Sequence, residues 1–146
     1  MLFFLLTSCR QNDDFLTIGN FDPNHIVEVQ ITIDENDWNT LRHESRNFMT
    51  EFLGDCNSEP FGGNYTSFSA DIEMDGEFRS NVEIRKKGFL GSQSIEKPSL
   101  KIDVDEYEKG AELFGVDNIT LNNSAQDPTL IRQCLSYFLF TQAGIP

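Results

Sequence analysis

The sequence predicts an α+β fold: a mainly antiparallel sheet, one early amphipathic helix beside it, and one buried helix at the C-terminal end. Three observations carry this. Several short runs alternate apolar and polar residues, the period of a strand with one buried face. An Asp-Gly pair joins two of those runs, a strong hairpin signal. Two further segments carry apolar residues at helical spacing behind good capping residues. With 146 residues, 38% apolar content and thirteen Phe, the chain supports one domain with a core and is neither disordered, collagen-like nor a coiled coil.

The first strand is "HIVEVQITID", where Val27, Val29, Ile31 and Ile33 alternate with polar residues. Asp34 then suits the N-cap of "DENDWNTLRHESRNFM", a helix of about three turns with Trp38, Leu41, Ser45 and Phe48 on one side. The stretch "GDCNSEPFGGNYTS" is dense in turn formers and reads as a loop. In "FSADIEMDGEFRSNVEIR", Phe68, Ala70, Ile72 and Met74 precede Asp75-Gly76, and Phe78, Val82 and Ile84 follow it. The letters D-I-E-M-D-G resemble the start of a calcium loop, but its twelfth position is Val82 and not Glu, so a hairpin is expected. Leu100, Ile102 and Val104 alternate in "PSLKIDVD", a further strand. "EYEKGAELFGV" is a turn or an irregular helical segment closed by Gly115, and "NITLNN" is a short strand. The chain ends in "DPTLIRQCLSYFLFTQAGIP", with Asp127 as N-cap, Pro128 at the first helical position and Gly144 as the stop. Its apolar set Ile131, Cys134, Leu135, Phe138 and Leu139 is expected to pack deep against the sheet.

Charge singles out one segment. Net charge is −13, which argues against nucleic acid as a partner, yet five of the eleven Lys and Arg fall between Arg85 and Lys101. Within it, "KKGFLGSQSIEK" carries Gly88, Gly91 and two serines, which let backbone and hydroxyl donors approach an anion. It matches neither a Walker A nor a GxGxxG loop. Local physics leaves two readings open, a solvated hairpin connection and a small-anion site, and leans to the first. Elsewhere, His25 and His43 lie in different elements and do not suggest a metal pair. No G-x-S-x-G nucleophile elbow occurs. Asp71, Glu73, Asp103 and Asp105 read as the solvent side of strands, and Asn64, Asn118 and Asn122 begin N-x-[ST] triplets.

The start, "MLFFLLTSC", is an apolar run ending in Leu6-Thr7-Ser8-Cys9 that looks like a bacterial lipobox. The expectation is a signal peptide over 1–9 with a start site placed too late, lipidation of Cys9, and a polar tether over 10–25; the alternative is a short buried N-terminal segment. This implies a membrane-anchored lipoprotein outside the cytoplasm, at an outer membrane or cell surface. Cys56 and Cys134 then remain, to pair with each other or with a cysteine elsewhere. No stretch approaches the roughly 20 apolar residues of a membrane-spanning helix.

"IVEVQITIDENDWNTLRHESR", "YTSFSADIEMDG", "VEIRKKGFLGSQSIEKPSLKIDVDEY" and "ITLNNSAQDPTLIRQCLSYFLFTQAGIP", taken in order, resemble the spore-coat protein H (CotH) kinase-like family from about Ile26 to Pro146. The distinctive letters are R-K-K-G-F-x-G-S, K-P-S-L-K and L-N-N-x-x-Q-D-P. The resemblance implies the small lobe of an atypical protein kinase, whose full-length parent transfers phosphate from ATP to protein Ser or Thr with Mg2+ or Mn2+. It implies that Lys101 contacts the nucleotide, with Lys97 second, and that Lys87, Gly88 and Ser92 line the phosphate cover. The closing helix takes the place of the one that carries a pairing carboxylate. Here that position is Gln133, which hydrogen-bonds but does not neutralise a lysine. Catalytic residues are expected in a C-terminal lobe that packs on the 127–143 helix and is missing after Pro146, so the chain alone is expected to be inactive. The alternative is a non-catalytic surface module that binds protein or glycan on the same scaffold.

Overall fold

The computed structural model describes residues 4–6, 26–46, 65–89 and 91–145, with side chains at all of these except 4–6, 134 and 141. Six strands form one sheet in sequence order, every neighbouring pair antiparallel: β1 (Phe4–Leu6), β2 (Val27–Ile33), β3 (Ser67–Met74), β4 (Glu77–Lys87), β5 (Ser99–Asp103) and β6 (Asn118–Leu121). Helix α1 (Glu35–His43) follows β2, and helix α2 (Arg132–Gln142) follows β6. The α+β class with a mainly antiparallel sheet is as the sequence predicts, and it is compatible with a kinase-like small lobe. Strand β1 lies inside the segment read as a leader and pairs with β2. Cys9, the tether, His25, Phe48, Cys56, Asn64 and most of the 54–67 loop lie outside the described residues, as does any Cys56–Cys134 pairing.

Alternation places the core on one face of the sheet. Val29, Ile72, Met74, Val82, Ile84, Leu100, Ile102 and Leu121 are all buried there, and Leu41 and Trp38 of α1 pack onto them. Asp75 and Gly76 take the left-handed conformations (φ 47° and 85°) of a tight hairpin turn, as expected of Asp-Gly. The Asp75 carboxylate also accepts the Glu28 N–H at 2.9 Å, so the turn holds β2 as well. "ELFGV" closes as a turn in which Leu113 bridges Val116 around Phe114 and Gly115.

Four expectations need correction. Phe78 is 54% exposed, not inward, because a bulge in the β3–β4 register between Ala70 and Ile72 reverses the alternation. At that irregularity Asn81 adopts φ 55° and donates its N–H to Asp71, so Phe78 ends opposite outward-facing Glu73 while Val82 faces the core. Helix α1 is shorter than the pattern suggests: its last residue is His43, and Ser45 is exposed. Asp34 caps its start as expected, accepting from Asn36 and Asp37, but at its end the Lys86 ammonium takes the carbonyls of Arg42 and Glu44.

The remaining two concern α2. It begins at Arg132 and not after Asp127, because Leu130 takes a left-handed conformation (φ 59°) that no continuous helix accommodates. Asp127 instead closes a turn on Leu130 and reaches forward to accept the Arg132 N–H at 2.8 Å. The helix is also not buried in this chain: Ile131, Leu135, Phe138 and Leu139 are 43% to 60% exposed. Leu41 and Trp38 of α1 and Leu113 belong to the cluster on the apolar face of the sheet, while Tyr137 through Phe140 are apolar or aromatic around the whole circumference of α2. Polar links join the first turn of α2 to the rest: Gln133 Oε1 accepts from Asn122, and the Arg132 guanidinium donates to the Gln126 carbonyl. Among the described residues no helix is long and apolar enough to cross a membrane.

Candidate functional site

A cleft of about 390 Å³ opens where the loop after β4, the start of β5, the segment after β6 and the first turn of α2 meet. Strand β4 delivers Lys87 to it by alternation. Lys86 points to the core with Val82 and Ile84, so its neighbour Lys87 must leave on the opposite face. Gly88 follows with φ 121°, and a Cβ there would stand 2.6 Å from Ser92 Oγ, so the loop closes this tightly only on glycine. Ser92 Oγ in turn accepts the Phe89 N–H at 3.0 Å.

Asn123 fastens the walls together. It is buried, its Nδ2 donates to the carbonyls of Ser92 (2.9 Å) and Lys97 (3.0 Å), its Oδ1 accepts the Ala125 N–H, and its own N–H reaches Ser99 Oγ. Every polar group of that side chain is therefore engaged, which rigidifies the loop it spans. On the rim, Lys87 Nζ donates to Asn122 Oδ1 at 3.2 Å, and Asn122 Nδ2 donates to Gln133 Oε1 at 2.9 Å. Opposite stands Arg132, whose guanidinium lies 3.8 Å from Asp127 and donates to the Gln126 carbonyl. The Thr129 hydroxyl bond, with help from the Arg132 N–H and guanidinium, holds the Asp127 carboxyl below its ordinary range against a weaker desolvating push.

The rear of the loop is anchored to the exit of α1. Gln93 donates to the Arg46 carbonyl and accepts its N–H, Tyr65 O–H donates to the Gly88 carbonyl, and the Arg46 guanidinium lies over the rings of Phe89 (5.3 Å) and Tyr65 (6.0 Å).

Of the residues singled out by sequence, Lys87, Gly88, Ser92 and Gln133 line this one cleft. Lys101 does not: it lies on the solvent face of β5, opposite Arg85 on β4 and Thr120 on β6. The Lys97 side chain is also outside the lining, and the loop uses its backbone through Asn123 and Ser94. Sequence reasoning missed Ser99, Asn123 and Arg132 on the walls and Lys86 behind them. The signal for Lys86 was its parity with Val82 and Ile84. A second recess of about 510 Å³, between β2 and α1 at Ile31, Trp38 and Leu100, is lined by no cation. Among the described residues no three His, Cys, Asp or Glu gather to hold a metal ion.

Residues 84–146 match the model of the family described as CotH kinase protein. This segment is similar to that family. The matched segment runs from the last residues of β4 to the chain end, and it contains all the residues that line the cleft. No curated protein matches the chain, and no solved structure does.

Proposed function

We propose that the cleft is the phosphate-holding wall of a kinase-like small lobe, and that the full-length protein transfers the terminal phosphoryl group of ATP to a protein Ser or Thr hydroxyl. One observation carries this reading: the three residues expected at a phosphate cover, Lys87, Gly88 and Ser92, converge with Gln133 on a single cleft, inside the segment that matches the CotH family, with Arg132 as a second cation. Lys87 and Arg132 attract and orient phosphate oxygens, as charge-assisted donors do. Gly88 lets the backbone pass close to the ligand, and Ser92 and Ser99 place hydroxyls on the wall.

This donor set suits a phosphate. Toward Mg2+ or Mn2+ the described wall offers one carboxylate, Asp127, already engaged by Thr129 and Arg132, so the metal of such a reaction would be held mainly by phosphate and by groups outside this wall. A bound nucleotide supplies the transferable group, while these residues bind and orient it. The lipid anchor on Cys9 and an extracytoplasmic setting are part of the same proposal, tested by labelling with a radioactive fatty acid and its loss in Cys9→Ser.

The test is calorimetric titration of the full-length protein with ATP and Mg2+ or Mn2+, beside Lys87→Ala and Lys101→Ala. The expected result is binding that Lys87→Ala weakens about tenfold or more. If no nucleotide binds or stabilises the full-length protein, the kinase reading fails and a surface module for protein or glycan takes its place.

A further inference from the structure

Strand β2 is covered on its β1 side along only part of its length. Strand β1 pairs with residues 27–29, while on the other side β3 runs along β2 as far as Ile33. Glu28 shows which way the main-chain groups turn: its N–H donates to the Asp75 carboxylate at 2.9 Å and its carbonyl accepts the Asp75 N–H at 3.0 Å, both on the β3 side. By alternation Gln30 and Thr32 turn toward β3 as well, so the N–H and C=O of Ile31 and the N–H of Ile33 turn to the side that β1 has left. Among the described residues none pairs with them. Burial changes at the same point. Val27 and Val29 are buried, whereas Ile31 and Ile33 are only partly so and line the recess of about 510 Å³ with Trp38 and Leu100.

We infer that this stretch of edge is a strand-acceptor site: an extended segment of a partner protein, apolar at alternate positions and basic at its ends, pairs with residues 31–33 and lays its apolar side chains in the recess. Strand β1 is the precedent on the adjoining residues, since Phe4, Leu5 and Leu6 form an apolar segment paired antiparallel to the same strand. In such pairing, residues opposite Ile31 and Ile33 face the way these do, into the recess. Charge selects the ends. Glu28, Asp34, Glu35 and Asp37 flank this stretch or line its recess, and the described lining holds no Lys or Arg. The same charges oppose a second copy, because two β2 strands paired antiparallel about Ile31 would set Glu28 opposite Asp34 at both ends. The phosphate cleft is lined by other residues, so the two sites stand or fall separately.

Trp38 is the single tryptophan of the chain and lines the recess, so its fluorescence reports occupation directly. The full chain is titrated with a short synthetic peptide that alternates Val and Thr between Lys ends, beside the same peptide N-methylated where its N–H groups would meet β2, and a version with Glu ends. The first peptide is repeated with Ile31→Pro, which removes one edge donor at a position where an edge strand tolerates proline, and with Glu35→Lys, each checked by circular dichroism. Expected are a saturable blue shift of Trp38 emission with the Lys-ended peptide, about tenfold weaker binding of the N-methylated peptide and by Ile31→Pro, and about threefold weaker binding of the Glu-ended peptide and by Glu35→Lys. Should Ile31→Pro not fold, the N-methylated peptide carries the backbone comparison alone. Unchanged Trp38 emission, equal binding of the N-methylated or the Glu-ended peptide, or a dimer of the full chain that Ile31→Pro dissociates overturns the inference.

Discussion

Lys86 Nζ donates to the Glu44 carbonyl at 2.6 Å and to that of Arg42 at the same distance, joining the last buried position of β4 to the end of α1. The side chain is 2% exposed, so these carbonyls have little recourse to water. Leaving two such acceptors unmatched costs on the order of 1–3 kcal/mol each. Lys86→Met keeps most of the aliphatic volume and removes the donors. It is expected to lower unfolding free energy by at least about 2 kcal/mol in urea titrations, while Lys87→Met, one residue on, should change stability by less than about 0.5 kcal/mol.

The same burial has an alkaline signature. Desolvation pushes the Lys86 ammonium below its ordinary value of 10.5, and the Glu44 carboxylate opposes the push without cancelling it. The folded pKa therefore lies below the unfolded one, the unfolded chain binds more of this proton between the two, and this group's contribution to stability rises with pH across that interval. As pH rises toward about 10, wild-type stability should gain on that of Lys86→Met, measured as the difference in urea midpoints. Tyr107, raised above 10.0 by burial and by Glu83 and Glu106, titrates beyond that window.

Asp127 has the opposite sign. Its carboxyl is depressed, first by the Thr129 hydroxyl, so its contribution is fully present above the unfolded pKa and is lost as pH falls through the folded one. Asp127→Asn should be less stable than wild type at neutral pH, and the gap should close as the medium is taken to about pH 2. Unfolding midpoints of the two proteins across that range are the measurement.

Asn123→Ala strips donors from the Ser92 and Lys97 carbonyls and the acceptor from the Ala125 N–H at one stroke. A loss of about 2–3 kcal/mol is expected. Hydrogen exchange at the Ala125 amide should accelerate beyond what global destabilisation explains, which reports loosening of the cleft wall itself.

The exposed apolar surface of α2 predicts self-association of the chain studied alone. Leu135→Lys with Leu139→Lys should raise the concentration at which light scattering appears and reduce binding of a hydrophobic dye, because both side chains are more than half exposed. Their replacement should leave the urea midpoint nearly unchanged.

Much of this was legible from residue order. The alternation of Val27 and Val29, or of Leu100 and Ile102, names strands and their inner face, since period-two burial leaves few other readings. Asp75-Gly76 names its turn because few other residues tolerate that backbone. Phe78 was misread because a bulge leaves no mark in an apolar count. The start of α2 was misplaced because the left-handed conformation of Leu130 is imposed by the surrounding turn, against the preference of the residue. At the cleft, the family resemblance named Lys87, Gly88 and Ser92, which line it, and also Lys101, whose side chain strand pairing carries to the face of Arg85. Asn123 and Arg132 carry no local signature, since what they do depends on partners distant in the chain.

The irregularity at Asn81 reaches further than the hairpin that contains it. One extra residue there sets the phase of everything downstream in β4, and it is this phase that sends Lys86 to the end of α1 and Lys87 to the cleft. Two identical neighbouring side chains have different occupations because of a single unpaired backbone step several residues earlier. A change in length on either strand near that step would exchange them, placing a cation without acceptors in the core and leaving the cleft rim without its first donor.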